Sequence, residues 1–297
     1  MPPAARNISI WIEAARPKTL AAAFVPVLVG AAVAWHHGLL RWDATAVALF
    51  CAFAIQIGTN FANDYFDYIK GADTNERVGF ARATATGLLS SRAMLTATIA
   101  CMATAFLAGL YLVWIGGWVV LAIGLLSILF GILYTGGPFP LGYNGLGDLF
   151  VFIFFGIVAV AGTYYVNALQ WSVESVVAAV PVGALAVAIL IVNNLRDVHQ
   201  DRKANKRTLG VLFGETFLKA EYLAMIILTL PPLFILHLLF GWSGWVFLPM
   251  LSLPWFIILS YDVLFHNDKP MLNKTLEQTA KAMALFGILF AVGIVFS

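Results

Sequence analysis

Long apolar runs separated by short polar stretches form the main pattern of this chain. A run of about 20 apolar residues is long enough to cross the hydrocarbon core of a bilayer as a helix. Counting such runs predicts nine membrane-spanning helices, at residues 19–38, 44–63, 93–114, 117–135, 147–168, 173–195, 220–239, 243–261 and 278–296. The runs lack the alternation of polar and apolar positions that strands of a membrane barrel show. The pattern therefore predicts an all-α polytopic membrane protein.

Two uncharged stretches are too long for a single span. No Asp, Glu, Lys or Arg occurs between Arg92 and Asp148, and the adjacent glycines at 116–117 predict a turn inside this stretch. A second uncharged stretch is expected to break near 241–244. Similar polar residues end the second and sixth spans, which predicts two related four-helix halves followed by a final helix. We interpret the whole chain, 1–297, as one domain.

Composition supports a membrane location. Hydrophobic residues make up 61% of the chain and charged residues only 11%, whereas a soluble domain has about 25% charged residues. Charged residues precede the first apolar run, which begins only after Lys18, so we expect a retained span and not a cleaved leader. Residues 8–15 are expected to form a short amphipathic helix on the membrane surface. Cys51 and Cys101 lie inside apolar runs and are interpreted as packing residues.

Basic residues are strongly biased to one side of the predicted topology. Of the 17 Lys and Arg residues, all but Arg41 fall at the N-terminus or after an even-numbered span. Cytoplasmic loops of membrane proteins carry such an excess of Lys and Arg. We therefore expect a cytoplasmic N-terminus, cytoplasmic loops at about 64–92 and 197–219, and a C-terminus outside.

Two groups of Asn and Asp residues lie at span ends on the cytoplasmic side. They are Asn60, Asp64 and Asp67, and then Asn193, Asp197 and Asp201. Spacings of three and four residues put each group on one helix face. If the two helix ends converge, their oxygens form a divalent-cation site, and oxygen ligands favour Mg²⁺ over Zn²⁺. We interpret the four aspartates as metal ligands and catalytic residues. The two asparagines could be ligands or could bond the helix backbone, and Asp73 is a further candidate ligand.

Basic residues accompany both acidic groups. The candidates for binding a diphosphate are Lys18, Lys70, Arg77, Arg82, Arg196 and Lys206. Lys and Arg are the donors that a diphosphate needs. Acids for a metal and bases for an anion, at the end of an apolar bundle, predict a site for a lipid diphosphate. The alternative is two solvated loops with surface ion pairs, and the repeated helical spacing favours the site.

The motifs around these residues resemble those of the UbiA family of intramembrane prenyltransferases. The segment 63–67 (NDYFD) matches the NDxxD motif of that family, and 197–201 (DVHQD) matches its later DxxxD motif. Further segments resemble the MenA-like branch of the family, in order over nearly the whole chain: RPKTL at 16–20, PLGYNGLGD at 140–148, NNLRD at 193–197 and MLNKTL at 271–276. Two departures are visible. Gly71 replaces a third acid of the general family, and the Lys-Arg pair often found after the fourth span is absent.

The resemblance implies a specific reaction. A polyprenyl group would pass from polyprenyl diphosphate to 1,4-dihydroxy-2-naphthoate with release of diphosphate and CO₂, giving demethylmenaquinone for menaquinone biosynthesis. It also implies two Mg²⁺ ions held by the two Asp groups and a bacterial cytoplasmic (inner) membrane. Aromatic faces could stabilise a prenyl cation, and the candidates are Tyr134, Tyr143 and Tyr164, with ordinary packing as the alternative for each. Asp148 could bind substrate or, the favoured interpretation, cap the fifth span.

Other functions stay open at this point. Within the family, 4-hydroxybenzoate or homogentisate could be the acceptor. A membrane transporter is the alternative from a different class, although transporters place ionisable residues near the bilayer midplane. The expected partners are the two substrates and the lipid bilayer, with no nucleic acid, and the sequence leaves the oligomeric state open.

Overall fold

The computed structural model describes residues 3–72 and 82–297, which form helices and turns with no β-strand among them. The α-helices are α1 (Pro3–Ala15), α2 (Ala21–His36), α3 (Trp42–Ile69), α4 (Ser91–Leu133), α5 (Gly147–Val151), α6 (Ala159–Ala168), α7 (Val173–Lys203), α8 (Leu209–Phe213), α9 (Glu215–Leu228), α10 (Pro231–Phe240), α11 (Leu253–Phe265) and α12 (Lys269–Val295). Short 3₁₀ helices occupy Pro17–Thr19, Leu141–Tyr143 and Gly244–Ser252. A π-helical stretch, Phe152–Val158, joins α5 to α6.

Seven segments of the described chain are long and apolar enough to cross a membrane. They are Trp42–Ile69, Ser91–Leu133, Gly147–Ala168, Val173–Lys203, Glu215–Phe240, Gly244–Phe265 and Lys269–Val295. An eighth results if Ile8–Thr19 and Ala21–His36, which meet at 50°, count as one bent span. The chain is thus an all-helical integral membrane protein, as the apolar runs predicted.

The predicted breaks between spans are present. α4 runs through the Gly116-Gly117 pair, but Gly117 has φ 68° and ψ −154°, which is not helical. A side chain would be strained there, and glycine removes that cost. α10 ends at Phe240, and Gly241 follows with φ 74°. Glycine therefore allows the chain to change direction at both places.

The polar segments predicted at about 64–92 and 197–219 begin as helix, because α3 and α7 continue into them. α3 extends to Ile69 and α7 to Lys203, so the residues after Asp64 and Asp197 are still helical. The count of apolar residues marks the hydrocarbon-spanning part of a helix, whereas hydrogen bonding continues the helix into the polar region. The acidic groups therefore sit on rigid helix faces.

α7 forms the centre of the bundle and is buried along most of its length. It packs against α9, α12 and the π-helical stretch. The last contact is close, since a Cβ atom on Gly156 would lie 2.8 Å from the Cα of Gly183. α3 packs mainly on α4, and α2 lies against α6 and α12.

The N-terminal helix α1, which includes the short helix expected at 8–15, packs on α3. The Trp11 ring contacts the Phe61 ring edge-to-face, with centroids 5.5 Å apart. The chain then turns at Arg16, which has φ 52° in the left-handed region, a strained value for a residue with a side chain. This turn brings Thr19 to the side of α3.

Candidate active site

Two connected cavities lie where the polar helix ends meet the apolar bundle. The polar cavity, about 190 Å³, lies between the C-terminal ends of α3, α4 and α7. The apolar chamber, about 340 Å³, lies among α2, α3, α4 and the segment 147–168. The two share the lining residues Ala22, Gln56, Asn63, Tyr134, Val151 and Phe155. One continuous space therefore has a charged end and a hydrocarbon-lined end.

Asp67 accepts several hydrogen bonds at the polar cavity. Its Oδ2 accepts a hydrogen bond from Arg82 Nη2 at 2.7 Å. Its Oδ1 accepts from the Tyr143 hydroxyl at 2.6 Å and from Lys206 Nζ at 3.1 Å. The side chain is almost fully buried, so these charge-assisted bonds act in a medium where they are strong. Asp67 thus draws three distant segments together around the cavity.

Asp64 and Asn60 hold neighbouring backbone. The two Asp64 oxygens accept from the backbone N–H groups of Ala83 and Thr84, at 3.0 and 3.1 Å. The Asn60 amide nitrogen donates to the carbonyl of Ala15 at 3.0 Å and to the Thr19 hydroxyl at 3.2 Å. The amide nitrogen of Asn60 therefore bonds the backbone, which is the second of the two roles considered for this residue.

In the second acidic group, too, one aspartate lines the polar cavity and another is paired elsewhere. Asp197 receives two bonds from Arg196, at 2.8 and 2.6 Å, in a buried bidentate pair. Arg196 also donates to Asn193 Oδ1 at 2.8 Å and to Asn273 Oδ1 at 2.6 Å. Asp201 lines the polar cavity together with Asn193. The structure thus brings Asp67 and Asp201 to one space, while Asp197 lies paired behind it.

The predicted bases occupy different positions. Arg82 and Lys206 line the polar cavity. Lys70 lies beside it, with Nζ donating to the carbonyl of Thr135 at 2.5 Å and lying 4.7 Å from the centre of the Tyr143 ring. Burial lowers the pKa of Lys70, and Lys206 lowers it further, while Asp67 opposes them. Lys206 lies 4.6 Å from the same ring, so Tyr143 is flanked by two ammonium groups.

Some predicted residues are not brought to this cavity. Lys18 pairs with Glu277 at 2.6 Å and is half exposed, and Arg196 is committed to Asp197. Asp73 and Arg77 lie outside the described residues. Tyr134 and Tyr143 line the polar cavity, but Tyr164 bonds His37 at 2.8 Å, beyond the far end of α2. The sequence around Tyr164 could not show at which end of the bundle this residue lies, because that depends on how the helices pack.

The described residues contain no group of three Asp, Glu, His or Cys side chains arranged to hold a metal ion. The reason is visible in the contacts. Asp64 is turned to backbone amides, and Asp197 is turned to Arg196. The donors around the cavity are nevertheless carboxylate and amide oxygens, which suit Mg²⁺.

Several cavity residues were absent from the predicted site. They are Arg16, Gln56, Asn63, Thr135, Asn194 and Thr208. Asn63 is the first residue of the NDxxD match and Asn194 adjoins Asn193, so both carried a signal. Arg16 belongs to the RPKTL segment. Thr135 donates to Asn63 Oδ1, a contact between distant segments that no local pattern reveals.

A membrane-embedded helical bundle with an acid- and base-lined cavity beside an apolar chamber suits the class of membrane enzymes that act on lipid substrates. The model of the UbiA prenyltransferase family matches residues 23–288. The chain belongs to the UbiA prenyltransferase family, and it is a membrane prenyltransferase. This membership disfavours the transporter alternative.

Individual relatives cover most of the chain. The 1,4-dihydroxy-2-naphthoate octaprenyltransferase of Escherichia coli is 36% identical over 97% of this chain and 95% of its own length. The protein of the same name from Mycobacterium tuberculosis is 41% identical over 78% of this chain and 79% of its own. A UbiA homologue from Archaeoglobus fulgidus, solved with DMAPP and Mg²⁺, has a TM-score of 0.65 over 95% of this chain and 99% of its own, at 14% identity. The last similarity concerns the fold alone.

Proposed function

We propose that this protein transfers a polyprenyl group from polyprenyl diphosphate to 1,4-dihydroxy-2-naphthoate. Diphosphate and CO₂ are released, and the product is demethylmenaquinol, the reduced form of demethylmenaquinone, which is an intermediate of menaquinone biosynthesis. The observation that carries the proposal is the continuous space with a charged end and an apolar end. The naphthoate-specific relatives, which match over most of the chain, support this acceptor.

The charged end fits the diphosphate group. Arg82 and Lys206 line the cavity, and Lys70 adjoins it. Arg82 and Lys206 now pair with Asp67, and Lys70 and Lys206 flank Tyr143. On substrate binding they would turn from Asp67 to the diphosphate oxygens, which they would bind by charge-assisted hydrogen bonds. Arg77, Lys18 and Arg196 stay candidates of the same kind.

The oxygen donors around the cavity fit Mg²⁺. Asp67 and Asp201 would hold the metal from the two helix ends, and the further proposed ligands are Asp64, Asp197, Asp73, Asn60 and Asn193. Two ions are proposed, one for each acidic group. When bound, Mg²⁺ supplies positive charge that stabilises the leaving diphosphate. The Archaeoglobus fulgidus homologue, bound to DMAPP and Mg²⁺, supports a metal-dependent reaction.

The apolar end fits the prenyl tail. Chamber walls of aliphatic and aromatic side chains exclude water, which would otherwise react with an allylic cation. Tyr134 lies where chamber and cavity meet. Its ring and that of Tyr143 are proposed to face the cation.

The proposed topology has nine spans. A helix of 43 residues would be about 65 Å long at 1.5 Å per residue, roughly twice the thickness of the hydrocarbon core. The break at Gly117 supports two spans in α4, and the bent α1–α2 pair supports another. The arrangement is two four-helix halves and a final helix, with the N-terminus and the polar cavity cytoplasmic and the C-terminus outside.

The proposal is tested by incubating the purified protein with Mg²⁺, a polyprenyl diphosphate and one of three aromatic acids. Mass spectrometry of the lipid product is expected to show prenylated naphthoate that has lost CO₂. Product from 4-hydroxybenzoate or homogentisate alone would assign another acceptor. Chelation of Mg²⁺ is expected to abolish turnover, and added Mg²⁺ to restore it. Full turnover after chelation would contradict the metal requirement.

A further inference from the structure

Asp148 is a buried carboxyl group that the proposed reaction has not yet used. It lies in the first turn of α5 and is only 7% exposed. Its Oδ1 atom is buried and has no hydrogen-bond partner among the described residues. An unpaired buried carboxylate costs several kcal/mol, by order of magnitude, so this oxygen is an available acceptor for a proton. The residue at the N-cap position is Leu146, and no side chain caps this helix.

A second carboxyl group of the same kind lies nearby. Glu221, on α9, also has a buried oxygen, Oε2, without a partner in the described part of the chain. The two side chains are close enough for a direct electrostatic interaction. Two interacting carboxyl groups, of which Asp148 is buried and Glu221 partly buried, cannot both be ionised cheaply, and one proton between them removes the repulsion. The pair is thus suited to holding one proton.

Tyr134 lies between the start of α5 and the substrate space. Its side chain lines both the polar cavity and the apolar chamber. Its hydroxyl lies against the start of α5, since a Cβ atom on Gly147 would be only 3.0 Å away from it. Burial raises the pKa of Tyr134, and the carboxylates of Asp148, Asp201 and Asp67 raise it further, in that order. Tyr134 therefore stays protonated and can pass a proton only by receiving another.

The other acids near the cavity are engaged differently. Both oxygens of Asp64, Asp67 and Asp197 accept hydrogen bonds from amides or cations. Those oxygens already accept hydrogen bonds, whereas Asp148 Oδ1 accepts none from the described residues.

We propose that Asp148 is a positioning residue that, acting through Tyr134, holds the hydroxyl proton of the acceptor while the acceptor ring carries negative charge. The inference rests on the proposed function. The acceptor O–H proton moves to the Tyr134 oxygen as Tyr134 passes its own proton to Asp148 Oδ1. The ring carbon bearing the carboxylate then supplies the electron pair of the new carbon–carbon bond, and the carbon–oxygen bond to diphosphate breaks.

The proton is returned at the end of the reaction. Loss of CO₂ breaks the ring–carboxylate bond, and its electron pair restores the aromatic ring. The ring oxygen then takes the proton back from Tyr134, which recovers its own from Asp148. No proton is released overall, because CO₂ leaves in place of a ring proton. A carboxyl pair with oxygens that accept no hydrogen bond among the described residues suits such a temporary transfer.

The test is Asp148→Asn in the full-length protein, with two readouts. The first is the rate of product formation, which is expected to fall by about 100-fold or more, the usual contribution of a general base. The second is scrambling of ¹⁸O between bridging and non-bridging positions of labelled prenyl diphosphate, which reports carbon–oxygen bond cleavage without the acceptor. Scrambling is expected to continue at the wild-type rate. Acceptors with more acidic hydroxyl groups are expected to lose less activity.

Asp268→Asn is the matched control, because Asp268 is an exposed carboxylate that caps α12 by accepting from Met271 N–H. If Asp148 were only a helix-end residue, both variants would retain full transfer, and that result would overturn the inference. A parallel fall of transfer and scrambling in Asp148→Asn would also overturn it, since that shows general damage. Tyr134→Phe is expected to reproduce the Asp148→Asn pattern.

The wild-type protein separates this inference from the proposed function. If it makes no prenylated naphthoate, the proposed function fails and the inference fails with it. If wild-type protein makes the product and Asp148→Asn makes it equally fast, the inference alone fails.

Discussion

Four aspartates that look equivalent in the motifs have different surroundings in the folded protein. Asp64 binds the backbone of 83–84, and Asp197 binds Arg196. Asp67 and Asp201 line the polar cavity. Replacing Asp67 is therefore expected to act on the reaction, whereas replacing Asp64 is expected also to loosen the segment that carries Arg82.

Asp67→Asn tests the cavity carboxylate directly. The substitution keeps size and removes the charge that binds a metal and orders Arg82 and Lys206. Replacing groups that support a metal site usually costs roughly 10- to 100-fold in metal affinity or activity, and at least this loss is expected. Product formation measured over a range of Mg²⁺ concentrations gives the result. Asp43→Asn is the matched control, because Asp43 lies at the opposite end of α3 and pairs with Arg41; equal activities in the two variants would contradict the assignment.

Arg196→Met separates a structural role from substrate binding. The Arg196 and Asp197 side chains are 1% and 2% exposed, and breaking a buried pair commonly costs about 3 to 5 kcal/mol. A clearly lower melting temperature in detergent is expected. Lys18→Met breaks the exposed pair with Glu277 and is expected to change stability by about 1 kcal/mol or less. A normal melting temperature with a raised KM for the donor would instead support Arg196 as a diphosphate ligand.

At the scale of elements, glycines decide how closely helices approach α7. Gly156 and Gly183 leave no room for a side chain between the π-helical stretch and α7. Gly156→Ala is expected to destabilise the protein by about 1 to 3 kcal/mol, the usual cost of overpacking. Gly124, on α4, has nothing within 4 Å of an added Cβ atom. Gly124→Ala is expected to keep or slightly raise the melting temperature, since alanine favours helix by roughly 1 kcal/mol; a similar effect of both substitutions would argue against the close contact.

At the scale of the whole molecule, the charge bias predicts how the protein sits in its membrane. Fusions of alkaline phosphatase, which is active only outside the cytoplasm, can be made after Ser297 and after Phe213. The Ser297 fusion is expected to be active and the Phe213 fusion inactive, because Lys and Arg cluster beside the second site. The reverse result, or equal activity, would contradict the nine-span topology.

The sequence predicted much of this fold from local pattern. Apolar runs placed the helices, and spacings of three and four residues placed Asn60, Asp64 and Asp67 on one face. It could not show that Asp64 meets the backbone at 83–84, because such a contact depends on how distant segments pack. Tyr164 was misplaced for the same reason, since only its bond to His37 shows which end of the bundle it occupies.

The apolar chamber has a consequence for how the enzyme meets its lipid substrate. Three of its lining residues, Phe106, Leu110 and Leu125, are 38%, 43% and 47% exposed on the outer surface of the bundle. No other helix of the described chain covers the chamber wall fully at these positions, and donor and product are therefore expected to exchange with lipid and not with water. Diluting the donor with inert phospholipid, at constant bulk concentration, should therefore slow the reaction. The effective concentration of this substrate is its mole fraction in the membrane.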